Sequence, residues 1–267
     1  MKSFKLLLIA FAAAGLLLFT YCSDDDDSNP TNNNGDKNYY PMKVGNFWIY
    51  ENNDLNIDGE YIDGTFTMDS VVITEVGTVH GKSGFKHVNY MKEDVNDDWE
   101  YDSETYFYSE GDKLYGLFEF IAPEDEELPL PLEFEEGWIL LADPTANSPW
   151  QIFSQNFEDQ EFTYEGITLT INGDFTITGE KGVTATFEHE GNSVTAQEYV
   201  FEYKFEGSAN FIVDIQFDFT ITAHLWYAES IGLVEFTVDP TTVAIGSYFS
   251  TDIEGSESIL DRYFVQD

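Results

Sequence analysis

Six apolar residues fall at every second position in Phe211, Val213, Ile215, Phe217, Phe219 and Ile221, and the residues between them are mostly polar. A repeat of two belongs to a strand with one face in a core and the other in water. Tyr199, Phe201, Tyr203 and Phe205 keep the same rhythm, as do Ile167, Leu169 and Ile171. Beyond the first 21 residues no segment sustains a capped helical period. Asn172-Gly173, the run from Gly179 to Gly182, and Glu190-Gly191-Asn192 read as turns, which makes 162–238 a meander of antiparallel strands. Earlier strands are expected at 47–50, 66–76, 85–91 and 114–121, with 99–101 pairing 105–108. The chain is therefore predicted to be all-β. About ten strands would form one strongly curved antiparallel sheet or an open half-barrel, because sheets of this size curl or close. Residues 122–149 hold five of the eight prolines and are expected to be a long loop excursion.

Fifty-one acidic residues face 11 basic ones, a net charge of −40. Nucleic acid is excluded as a partner, since binding it depends on Lys and Arg neutralising phosphates. Direct docking of the folded part on anionic lipid is disfavoured for the same reason. Disorder is not implied, because 16% of the residues are aromatic and they recur in patterned segments.

The N-terminus reads as an address. Lys2 and Lys5 precede a fourteen-residue apolar run from Leu6 to Phe19, followed by Cys22 and Ser23-Asp24-Asp25-Asp26-Asp27. A basic start with a short apolar stretch is the build of a signal peptide, and the run is shorter than the ~20 residues of a comfortable membrane span. Residues 18–22 resemble a bacterial lipobox, with Tyr21 where a small residue is usual. The resemblance implies lipidation at Cys22. Cys-Ser-Asp-Asp-Asp-Asp resembles the acidic export signal of Bacteroidetes-type surface lipoproteins, which implies an outer-membrane protein facing the cell exterior. A plain solvated tether is the alternative for the aspartates. As the one cysteine of the chain, Cys22 has no partner for an intrachain disulfide. The expected organisation is a signal peptide over 1–21, an acidic, Asn-rich flexible tether over 22–38, and a single all-β domain over 39–267.

Two further patches carry a resemblance. Residues 39–50 (YYPMKVGNFWIY) resemble the "YPLxVGNxWxY" opening of a group of bacterial lipoproteins, and residues 225–235 (LWYAESIGLVE) resemble its "WYAxGVGLV" close. The resemblance implies one curved antiparallel sheet similar to the half-barrels of periplasmic lipoprotein carriers. Independently of it, Pro41 fixes φ ahead of the first strand, and Trp48 and Tyr50 share one face.

Candidate chemistry is sparse. No paired-Cys or HExxH pattern accompanies the four histidines, and there is no GxSxG. Asp54, Asn56, Asp58 and Glu60 match the first half of a calcium loop, D-x-N-x-D-G, but Thr65 stands where the bidentate Glu belongs. A weak calcium site and a polar hairpin tip are both open; no other cofactor is expected. Trp99, Tyr101, Tyr106, Tyr108, Trp138 and Trp150 suit carbohydrate stacking or a packed core equally in chemistry. The loop from Glu133 to Trp150 is expected to cap the open end of the sheet. These readings favour a lipid-anchored envelope protein with a non-catalytic binding or interaction role, its ligand apolar, a glycan or a protein partner. A carboxylate-dependent hydrolase acting on glycans is the alternative, with a purely structural coat protein as a third class.

Overall fold

The computed structural model describes residues 39–118, 137–164, 167–210, 214–245 and 249–266. Cys22 to Asp27, Phe211, Val213 and the first part of the expected capping loop lie outside them, as does the side chain of Phe217.

Fourteen strands and no helix occur among the described residues: β1 (Phe47–Leu55), β2 (Thr67–Val79), β3 (Lys82–Lys92), β4 (Glu100–Glu110), β5 (Lys113–Phe118), β6 (Gly137–Ala142), β7 (Trp150–Tyr164), β8 (Ile167–His189), β9 (Asn192–Asn210), β10 (Asp214–Ala228), β11 (Gly232–Val238), β12 (Thr241–Ile245), β13 (Phe249–Ile253) and β14 (Gly255–Phe264). The all-β, strongly curved antiparallel sheet expected from the period-two pattern is what forms. Its order is β6-β5-β4-β3-β2-β1-β14-β11-β10-β9-β8-β7, with the β12–β13 hairpin pairing onto β10. The sheet curls into a barrel with one seam, between β6 and β7. Trp150 bridges the seam, its indole Nε1 donating to the Leu140 carbonyl at 3.1 Å.

The strand count exceeds the expected ten because β6, β12, β13 and β14 form where no strand is expected, although several expected breaks are absent. Part of the Pro-rich stretch is the strand β6, so 137–150 builds the two seam edges instead of a cap. Residues 99–101 and 105–108 do not pair with each other; 100–110 is the continuous strand β4. Neither Asn172-Gly173 nor the run from Gly179 to Gly182 turns, because β8 runs unbroken through both. Gly173 lies opposite Gly207, and a Cβ on it would sit 2.7 Å from the Gly207 Cα. At Gly179 a Cβ would sit 2.5 Å from the Trp150 ring. These glycines permit close approach between strands, and Asn172 accepts the Asp159 N–H at a bulge of β7.

Alternation holds where side chains are described. Phe219 and Ile221 are buried, while Gln216 and Asp218 are exposed. Trp48, Ile73, Tyr199 and Phe205 are fully enclosed, each contributing about 1.5–3 kcal/mol of apolar burial. The two patches of the sequence resemblance meet in space. Trp48 donates to the Ile231 carbonyl, and the Tyr50 hydroxyl donates to the Leu233 carbonyl at 3.1 Å. Buried Asn46 fastens the start to the end of the barrel, donating to the Pro41 carbonyl at 2.8 Å and accepting the Gln266 N–H at 3.0 Å.

Candidate functional site: the barrel cavity

The even positions of β1 carry Trp48, Tyr50 and Asn52 to one face. Across the β1–β2 ladder Val71 and Asp69 stand opposite Trp48 and Tyr50. On β3, His87 faces Ile73 and Asn89 faces Val71, and β4 places Thr105 and Ser103 opposite them. The ladder between β3 and β4 slips at Asn89/Tyr90, leaving Asp102 as an extra residue between Tyr101 and Ser103. Such a bulge re-aims a side chain. Here it lets consecutive residues, Asp102 and Ser103, reach the same space.

That space is a cavity of about 430 Å³, within the ~300–1,000 Å³ of small-molecule sites. One wall is apolar, with Ile139, Leu141, Ile152, Ile177, Ala223 and Leu225 brought together from β6, β7, β8 and β10 across the seam. The other wall holds Asn52, Asp69, Asn89 and Asp102. No Lys or Arg is among the described residues that line it.

The polar wall is acceptor-rich. Asn89 Nδ2 donates to Asp102 Oδ2 at 3.1 Å, and Ser103 Oγ donates to the same oxygen at 2.8 Å. Asn52 Nδ2 donates to Thr67 Oγ1 at 3.3 Å. Both amide groups thus spend N–H on oxygens, and Asn52 Oδ1 and Asn89 Oδ1 are enclosed without a partner. Burial pushes the Asp69 carboxyl up to about 6; the nearby Asp102 charge adds to this, and the amides of Asn52 and Asn89 oppose it.

His87 also lines the cavity; it is 2% exposed and ringed by Tyr40, Trp48 and Phe107. Its Nδ1 is 3.0 Å from the Phe85 carbonyl, which only accepts, so Nδ1 carries the proton. Burial lowers the imidazole to about 3, so it is neutral, and its Nε2 is an enclosed acceptor without a partner. Burial also raises Tyr40 and Tyr227, and raises Tyr50 with help from neighbouring Tyr40, Tyr227 and Asp69. These phenols stay protonated at physiological pH.

The residues singled out from sequence lie elsewhere. Trp99 and Tyr101 are exposed beside the β3–β4 tip, with Lys92 Nζ 4.9 Å above the Trp99 ring and Tyr90 edge-on to Tyr101. Tyr106 and Tyr108 are buried; Tyr108 stacks on Tyr115 at 4.6 Å and meets Trp138 edge-on at 4.7 Å. Trp150 packs against Phe201 at the seam. None of these six aromatic residues lines the cavity. Asp54, Asp58 and Glu60 are exposed at the β1–β2 tip. There Asn56 Oδ1 accepts the N–H groups of Asp58 and Glu60 at 2.9 and 3.0 Å, an Asx-type closure of the turn. Among the described residues no three of His, Cys, Asp and Glu group so as to hold a metal ion.

Sequence reasoning passed over Asn52, Asp69, His87, Asn89 and Asp102. A signal for four of them exists. Each of Asn52, Asp69, His87 and Asn89 is a polar residue two positions from an apolar one in the same strand row: Tyr50, Val71, Phe85 and Met91. Asp102 depends on the bulge, which has no such mark.

No protein-family model matches the chain, and no curated protein matches it. Among solved structures, it is similar to a candidate lipoprotein from Parabacteroides distasonis ATCC 8503, with TM-score 0.45 and 11% identity over 86% of this chain and 100% of that one. It is also similar to a candidate exported protein with a YmcC-like fold from Bacteroides fragilis NCTC 9343, with TM-score 0.38 and 11% identity over 85% and 99% of the two chains. Likenesses this distant carry no conclusion about what the chain binds or does.

Proposed function

We propose that this is a lipid-anchored envelope protein that holds an apolar or amphiphilic small molecule inside its barrel, without acting on it chemically. The observation that carries the reading is the cavity of about 430 Å³ with its apolar wall, space of the kind a barrel of more than about eight strands leaves beyond what its side chains fill. The N-terminal sequence supplies the rest: a signal peptide, lipidation at Cys22, and Ser23 to Asp27 as a surface-export signal at the outer membrane.

Titration with the neutral fluorescent probe N-phenyl-1-naphthylamine tests the binding reading. The parent protein is expected to bind it saturably with enhanced emission. Ala223→Phe, which fills the space beside Ile177, is expected to abolish that binding while keeping a cooperative melt, at a cost of about 1–3 kcal/mol for overpacking. No saturable binding to the parent would remove the proposal.

A second reading has a specific observation behind it. Asp69 and Asp102 are neighbouring carboxyls with one pKa raised, the pattern of an acid paired with a base or nucleophile in glycoside hydrolysis. Against it, the Asn89 amide bonds Asp102 and also lies against Asp69, occupying the place where a scissile bond would sit. Release of a chromophore from aryl glycosides by the parent, lost in Asp69→Asn, would favour the hydrolase.

A further inference from the structure

We infer that the cavity selects a single-chain amphiphile whose head carries hydrogen-bond donors, best a protonated amine, seated beside Asp69 and Asp102 with its hydrocarbon body along Ile139 and Ile177. This deepens the reading of the cavity as a ligand site and rests on it.

Three independent features give the head its sign. The lining has three carboxyls, Asp69, Asp102 and Glu104, and no Lys or Arg among its described residues; Glu104 is paired with Lys86 at 2.8 Å, which leaves Asp69 and Asp102 for a ligand. The amide hydrogens of Asn52 and Asn89 are spent on oxygens, which leaves their Oδ1 atoms as unpartnered acceptors enclosed behind the cavity lining. His87, 2% exposed and lining the same cavity, adds a third unpartnered acceptor in Nε2. Buried acceptors are costly to leave unmade, and only a group bringing hydrogens completes them. A carboxylate or phosphate head would meet the like charges of Asp69 and Asp102 and no cationic donor among the described lining residues. An ammonium would offset the charge of Asp69, whose carboxyl burial and the Asp102 charge hold up to about 6. The body is set by the opposite wall, where aliphatic side chains from four strands offer no polar group.

The test is competition against N-phenyl-1-naphthylamine by dodecylamine, dodecanol and dodecanoate, each below its micelle-forming concentration, at neutral pH and physiological salt. The amine is expected to compete about tenfold better than the carboxylate, with the alcohol between. Because a −40 surface attracts any cation, Asp69→Asn/Asp102→Asn is measured beside the parent. That variant changes the net charge by only two and keeps the shape of both side chains. It is expected to retain probe binding and lose the amine preference. Equal competition by all three heads, or an amine preference that persists in the double variant, would overturn the inference while leaving the apolar site standing. Failure of the probe to bind the parent would overturn both.

Discussion

Asp69 sets a dependence of stability on pH that can be signed. Its folded value of about 6 lies above the ~3.9 of an unfolded chain. The folded state holds this proton more tightly, so stability falls as pH rises from about 4 to 6, and the full cost is present above that. Asp69→Asn removes the contribution. The difference between variant and parent should be small in acid and grow to the order of 1–3 kcal/mol in favour of the variant above pH ~6. Parallel pH profiles from denaturant melts would contradict the burial of this carboxyl. At this scale the core was the legible part: Trp48, Tyr50, Tyr199, Phe201 and Phe205 are buried as the alternation requires. The site was not legible. A lone Asp or His in a strand gives the same letter whether its row faces water or an enclosed space, and the facing is decided only when distant strands close.

Strand type was legible from period and turn residues; strand ends were not. Asn172-Gly173 has the composition of a hairpin turn. Paired with Gly207, it instead serves the close crossing of two long strands, and no residue nearby distinguishes these uses. β14 went unread because Ser256, Glu257 and Ser258 break the apolar alternation, though the strand joins β1 to β11 and completes the barrel. The seam is the weakest part of this closure. β6 and β7 are edges, each with a single hydrogen-bonded neighbour strand among the described residues. Edge strands open at lower free energy than central ones. Amide hydrogen exchange should be faster at Ile139 to Leu141 than at Phe201 to Phe205 in β9, which is paired on both sides. Trp150→Phe, which removes the bond to Leu140, should speed exchange in β6 and leave β9 unchanged. Uniform protection across both regions would mean the seam is closed more firmly than its one indole bridge suggests.

On the scale of the whole molecule, the curved sheet was predictable from strand number and pattern, whereas the cavity follows from how much of the barrel's interior its side chains leave unfilled. The anchor is a separate claim with its own test. Several acyl chains at about 0.8 kcal/mol per buried CH₂ hold a protein stably on a membrane. Cys22→Ala should therefore move the protein from the membrane fraction or leave it unprocessed. Metabolic palmitate labelling that survived this substitution would sink lipidation at Cys22. The central claim, that the barrel is a container, is tested most directly by diffraction at the bromine edge from crystals grown with an ω-brominated dodecylamine. The account predicts one anomalous peak inside the barrel, near Ile139 and Ile177, with the amine density beside Asp69 and Asp102. Bromine found only on the outer surface, with the cavity empty, would contradict it.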